Sequence, residues 1–274
     1  MDSVYQFLST DLKIIDKNNL AFPFMDFDYL YGFGLFETIR VENSKPQLLP
    51  EHIDRMRNAA IIFDISLDFT NAEISNHIQA LIQQNNISEA ILNFYLTPGD
   101  RAEDPTESIT GKPFFLAVLR KWPEYDSNQR LRLDFRQQAF QKIPLDRYKS
   151  LSWMKNILEN RLSDDYDDVM LFDENMQLLE TSRSNIFFVK DNVLIVPDSK
   201  VILKGIMRDY IIKNAINAGY QCQVRNVYVD EVSSFDEVFL SNSLRGVILV
   251  ESINDPGLSL SSKKIAKDMQ EKIA

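Results

Sequence analysis

Few side chains in this sequence stand in patterns that could do chemistry, and elimination narrows them. The 274-residue chain holds two histidines and one cysteine. His52 and His77 both fall in helix-like segments, so no Cys/His zinc site, and no metal site, is expected. A Ser-His-Asp triad would need one of them, and neither lies near a nucleophile elbow. No Walker loop and no GxGxxG fingerprint occurs. What remains is lysine, carboxylates, hydroxyls or a bound cofactor. In the strand-like segment GLFETIRVEN, period two puts Phe36, Thr38 and Arg40 on one face and Leu35, Ile39 and Val41 on the other. A face of Phe, Thr and Arg reads as a cleft wall or as a solvated sheet face. Lys149 stands just before a predicted helix and Glu180 closes the segment MQLLE. Taken singly, each reads as a solvated residue.

The elements that must position these residues are legible in outline. A helix is predicted from Pro50 to Ile62, with Ile53, Met56 and Ala60 at helical spacing, and another over Asn71–Gln84, with Ile74, Ile78, Leu81 and Ile82 as its stripe. ILNFYL and FFLAVL read as buried strands. Lys121–Gln129 is polar with a proline, a linker candidate. The expected division is a domain over 1–120, a linker over 121–129 and a domain over 130–274. In the second, a strand is expected at Leu131–Phe135. A helix over Ser150–Leu162 should bury Leu151, Met154, Leu158 and Leu162. VMLF with MQLLE, and IFFV with VLIV, read as two hairpins. Gly205 opens a helix from Ile206 to about Ala218. EVFLS and GVILVE are strands, and a last helix carries Ile265, Met269 and Ile273. Hydrophobic residues at 45% and charged residues at 26% suit a soluble globular protein. A net charge of −10 argues against a nucleic-acid footprint. One cysteine, no signal-like N-terminus and no membrane-length apolar run make the cytoplasm the expected location.

The segments GLFETIR with EHIDRMRNAA, YKSLSWMKNILE, LLETSRSNIFFV, and KGIMRDYII with FLSNSLRGVILV stand in an order that resembles the class IV, fold type IV, pyridoxal 5′-phosphate (PLP) enzymes. That family holds branched-chain and D-amino-acid aminotransferases and 4-amino-4-deoxychorismate lyase. The resemblance implies an α+β chain with a small N-terminal α/β domain and a larger barrel-like C-terminal domain, PLP between them, and a homodimer. It implies that Lys149 forms the Schiff base with PLP and later shuttles a proton. Glu180 would face the pyridine nitrogen and keep the ring protonated. Arg55 would bind the phosphate, with Arg57 on another side of the helix and solvated. The helix start at Gly205, Ile206 and Met207 would offer backbone N–H groups to the phosphate, joined by the loop at Ser243 and Leu244. Thr38 would assist proton transfer, as proposed for the lyases, and Phe36, Thr38 and Arg40 become a substrate wall.

Departures from the family pattern are Phe33 within Gly32-Phe33-Gly34, Ser152-Trp153 after the lysine, Met207 in place of threonine, and Asn93 and Pro98 where arginines are common. Arg40, Arg101, Arg183 and Arg245 remain as candidates for a substrate carboxylate. ETIR, GIMR and SNSL favour 4-amino-4-deoxychorismate lyase, releasing pyruvate and 4-aminobenzoate for folate synthesis. The alternative is an aminotransferase acting on branched-chain or D-amino acids with a 2-oxo acid acceptor, and the third a non-catalytic relative. In every enzyme reading the substrate is a small amine-bearing metabolite, with no nucleic-acid or membrane partner.

Overall fold

The computed structural model describes residues 3–21, 31–99, 112–123, 125–126, 129–254 and 264–273. The chain divides into two compact units, Met1–Glu124 with Tyr148–Ser152, and Tyr125–Arg147 with Trp153–Ala274. Among the described residues no helix is long and apolar enough to cross a membrane.

The first unit is an antiparallel sheet with helices on one face. Its strands are β1 (Phe7–Thr10), β2 (Lys13–Asp16), β3 (Leu35–Glu42), β4 (Lys45–Pro46), β5 (Ala90–Thr97) and β6 (Phe114–Lys121), in the order β2-β1-β6-β5-β3-β4. Helices α1 (Leu49–Ile62) and α2 (Asn71–Gln84) pack on β3 and β1. Helix α2 begins where Thr70 caps it: the Glu73 N–H donates to Thr70 Oγ1 at 3.2 Å and the Thr70 N–H to Glu73 Oε2 at 2.8 Å, a reciprocal capping box. Its stripe of Ile74, Ile78, Leu81 and Ile82 is fully buried, as the spacing predicts. The alternation of β3 is strict: Leu35, Ile39 and Val41 enter this core and Phe36, Thr38 and Arg40 do not.

The sequence reading places residues 148–152 in the C-terminal domain. Backbone bonds place them in the first unit. The Phe36 N–H donates to Lys149 O at 3.0 Å and the Leu151 N–H to Gly34 O at 2.9 Å. The fit is close enough that a Cβ on Gly34 would lie 2.7 Å from Leu151 Cδ1 and 3.0 Å from Leu96 O.

The second unit is built on an eight-stranded sheet. Its strands are β7 (Leu131–Gln137), β8 (Asp168–Phe172), β9 (Leu178–Thr181), β10 (Asn185–Lys190), β11 (Val193–Pro197), β12 (Gln221–Arg225), β13 (Glu237–Asn242) and β14 (Gly246–Ile253), in the order β12-β11-β10-β13-β14-β7-β8-β9. The sheet curls until β9 comes back against β10 and β11, giving the barrel-like form. β10 and β11 form the expected hairpin through Asp191 and Asn192, both at positive φ, the conformation of a tight hairpin turn. Helices α4 (Ile206–Asn217) and α5 (Lys264–Ile273) cover one side of the sheet.

One expected helix differs. Helix α3 spans Met154–Arg161, shorter than the predicted Ser150–Leu162, and Glu159 is its only buried residue. Met154 is 70% and Leu162 59% exposed, so the apolar stripe does not enter this chain's core. The helix starts late because the preceding residues are already bonded to β3.

Candidate active site

In the first unit, Lys149 is held against β3 by its own backbone, and its Nζ lies 4.4 Å from the centre of the Phe36 ring. Phe36 belongs to the non-core face of the sheet, and register extends that face across the strands. Tyr95 stands opposite Phe36 and next to Leu116, while Asn93 stands opposite Thr38 and next to Val118. Asn93 ties its row to the next: its Nδ2 donates to Thr38 Oγ1 at 2.9 Å and its Oδ1 accepts at 2.7 Å from Nε of Arg120, which pairs with Ile91. Arg40, on the same face, pairs with Glu42 at 2.5 Å and lies 5.0 Å from the Trp122 ring. The expected wall of Phe36, Thr38 and Arg40 is therefore one face of the strand that the lysine adjoins.

The opposite face of β3 carries an ionic group missing from the sequence reading. Glu37 is fully buried among the apolar residues, accepting from His52 Nδ1 at 2.6 Å and from Arg55 Nε and Nη2 at 2.8 and 2.6 Å. Burial alone would push its carboxyl up; the Arg55 guanidinium, aided by the bonds from His52 and Arg55, outweighs that and holds it at about 2. Burial also pulls His52 below the ordinary histidine range, against the opposing pull of Glu37. The signal was present: an acid in the period-two apolar row between Leu35 and Ile39. The structure thus sets Arg55 on Glu37, and any phosphate it binds meets a guanidinium already oriented. Arg57 is not solvated as expected: it donates to Asn71 Oδ1 at 3.1 Å, to Leu67 O at 3.0 Å and to Phe69 O, clamping the loop before α2.

In the second unit, Glu180 sits at the end of β9, almost fully buried. It accepts from the Leu203 N–H at 3.2 Å and Asn185 Nδ2 at 3.3 Å, and forms an ion pair with Lys142. Lys142 lies in an irregular loop, and nothing in its sequence context marked it. Below the Thr181–Ser184 turn, Asp168 is fully buried and accepts from Thr181 Oγ1 at 2.9 Å and Ser182 Oγ at 2.6 Å, fixing the turn that carries Glu180. Asn185 reaches the other way. Its Oδ1 accepts the Gly205 N–H at 3.1 Å and its Nδ2 donates to Leu203 O at 2.8 Å. A Cβ on Gly205 would lie 2.2 Å from Asn185 Oδ1, so glycine is required to seat the start of α4. Ile206 and Met207 form the first turn of that helix, where backbone N–H groups point outward from the axis end. Ser243 and Leu244 occupy the turn after β13; the Leu244 and Arg245 N–H groups donate to Asn242 Oδ1 at 3.1 and 3.0 Å. The Leu244 N–H is therefore engaged within its own turn.

These pieces fit PLP: a lysine braced in one unit, and in the other a buried acid for a ring nitrogen and a glycine-led helix start suited to a phosphate.

Comparison with known proteins agrees. The model of the family "Amino-transferase class IV" matches residues 34–253. The chain therefore belongs to the class IV aminotransferase family, and is a PLP-dependent enzyme of fold type IV. A provisionally named branched-chain-amino-acid aminotransferase from Methanocaldococcus jannaschii is 28% identical over 95% of this chain and 92% of its own. A D-alanine aminotransferase from Listeria monocytogenes is 26% identical over 84% of this chain and 81% of its own. Among solved structures, a provisionally named 4-amino-4-deoxychorismate lyase from Legionella pneumophila superposes with a TM-score of 0.83 at 25% identity, covering 94% of this chain and 96% of that one. The branched-chain aminotransferase of Escherichia coli superposes with a TM-score of 0.87 at 21% identity, over 98% and 93% of the two chains.

Proposed function

We propose that this chain is an aminotransferase, moving the amino group of a small amino carboxylate to a 2-oxo acid with PLP held on Lys149. The observation that carries the reading is the placement of Lys149, stitched to β3 with its amine at the Phe36 ring. PLP, when bound, supplies the electron sink that lets a bond break at the carbon bearing the amine. Lys149 would hold the cofactor through Nζ and, once free, would carry a proton to and from the reacting carbon. Glu180, kept in place by Asn185 and the Leu203 N–H, would face the ring nitrogen and favour its protonated form. Arg55 and the helix start at Ile206 and Met207 would hold the phosphate, and Ser243, rather than the Leu244 N–H that Asn242 already takes, would join them. The named aminotransferases among the relatives support transfer over elimination, reversing the order expected from sequence.

The second reading, 4-amino-4-deoxychorismate lyase, is favoured by Thr38. Its Oγ1 accepts from Asn93, which leaves its own proton to give. The Legionella relative supports this reading too.

Borohydride treatment of the purified protein with PLP, followed by peptide mapping, should place a phosphopyridoxyl group on Lys149. A label on another residue would sink the assignment. In unreduced protein, addition of an amino acid without a 2-oxo acid should convert the bound cofactor to its amine form. Pyruvate release from aminodeoxychorismate without that conversion would decide for the lyase. We also propose a homodimer. Exposed apolar side chains support it, Ile61 and Ile62 in the first unit and Met154, Ile157 and Leu162 in the second.

A further inference from the structure

We propose that Arg120 anchors the substrate's carboxylate, and that the apolar cavity it borders receives the substrate's side chain. This deepens the reading of Lys149 above and rests on it. It names the substrate class as an amino carboxylate with an apolar side chain.

The cavity measures about 480 Å³, and Leu8, Tyr95, Leu116, Val118, Leu151 and Arg120 are among its walls, all in the first unit. That size falls within the range that holds small ligands. Two of its walls tie it to the lysine's strand: Leu151 is two residues past Lys149, and Tyr95 pairs in register with Phe36. The walls are almost entirely apolar, so a ligand that fills it must bring an apolar body. Two cations border it, Arg120 and Lys17. Lys17 Nζ donates to the Val4 carbonyl at 3.1 Å, and the backbone of Val4 pairs with that of Arg120 in an isolated β-bridge.

Arg120 differs from the arginines that the sequence suggested for a carboxylate. Arg40 is paired with Glu42, Arg183 lies on Asp168 at 3.5 Å and on Asp167 O at 2.7 Å, and Arg245 lies 5.5 Å from the Tyr125 ring and donates to Gln129. Arg101 lies outside the described residues. Arg120 donates through Nε to a neutral amide, Asn93 Oδ1, and has no carboxylate within ion-pair distance among the described residues. Its Nη1 and Nη2 have no hydrogen-bond partner among those residues. A half-buried guanidinium normally recovers its desolvation from an acid. Here the planar fork is left for a ligand, and a carboxylate is the group that matches it with two parallel bonds. Asn93 is the positioning residue: its amide is oriented by donation to Thr38 Oγ1 and Glu37 O, so its oxygen must face Arg120. Arg120 stands in the cross-strand row of Ile91 and Arg40, next to the row of Thr38 and Asn93 and two rows from Phe36, and its guanidinium reaches back to Asn93.

The test is calorimetric titration of the full-length protein, with and without PLP. One probe is 4-methylpentanoate, an apolar carboxylate with no amine; the other is 4-methylpentanamide, the same shape without charge. Arg120→Gln should weaken the carboxylate about 10- to 100-fold, the scale of a lost charged hydrogen bond, and leave the amide unchanged. Arg120→Lys, which keeps charge and loses the fork, should retain an intermediate affinity and guards against a Gln variant that fails to fold. Equal carboxylate affinity in wild type and both variants would overturn the proposal, as would loss of both probes together or no binding to wild type. Carboxylate binding that persists in Lys149→Ala, and in protein that never retains PLP, would uphold Arg120 while sinking the lysine assignment alone.

Discussion

At the residue scale, the buried pair Lys142–Glu180 offers a direct measurement. Both side chains are more than nine-tenths buried, and a buried charge left without its partner destabilises by about 3–5 kcal/mol. Lys142→Met should lower the denaturation midpoint by that order, and the double variant Lys142→Met/Glu180→Gln should recover much of the loss. Independent, additive losses would show that the two side chains are not coupled. Of the pair, only Glu180 was legible in the sequence, because a motif surrounds it. Lys142 becomes visible only when an irregular loop is folded onto β9. Arg120 was hidden differently: it ends an apolar strand, where a lone basic residue looks like a solvated terminus.

At the element scale, β3 joins two functions on its two faces. Glu37 is held well below the ordinary glutamate value and His52 below the ordinary histidine value. On acidification the unfolded chain takes up the His52 proton first, below about 6.5, and the Glu37 proton below about 4.5. The fold resists both, so stability is full at neutral pH and is lost as pH falls, with the Glu37 part going between about 4.5 and about 2. Denaturation midpoints of wild type and Glu37→Gln against pH should converge towards the acid end; parallel curves would count against this role. Helices α1, α2 and α4 were readable because local signals mark their starts: Pro50 in the first turn of α1, the Thr70 cap of α2 and Gly205 before α4. Helix α3 was misplaced because the residues before it take their backbone partners from β3, far away in sequence. Strands β1 and β2 were not anticipated: FLST and KIID are short and only partly buried, with little alternation to detect.

At the scale of the whole molecule, the two-domain α+β plan followed from the order of the motifs, whereas the membership of residues 148–152 did not. Connectivity in space is a product of long-range pairing, and one lysine-bearing stretch can join a sheet strand that lies more than a hundred residues earlier in the chain. The exposed apolar side chains of α3 motivate a prediction here. Light scattering should give twice the chain mass, and Met154→Glu with Ile157→Glu should shift the protein towards monomer without unfolding it. A wild-type protein that is monomeric at micromolar concentration would refute the homodimer.

The alternation along Leu35–Glu42 has one more consequence. Even-numbered positions lie on the non-core face and odd-numbered ones meet the ionic knot and the core. Selection, in nature or in the laboratory, can therefore rewrite positions 36, 38 and 40, the proposed substrate wall, while the part of stability that acid removes stays encoded at position 37. New chemistry and a durable scaffold are inherited on the same eight residues without competing for the same side chains.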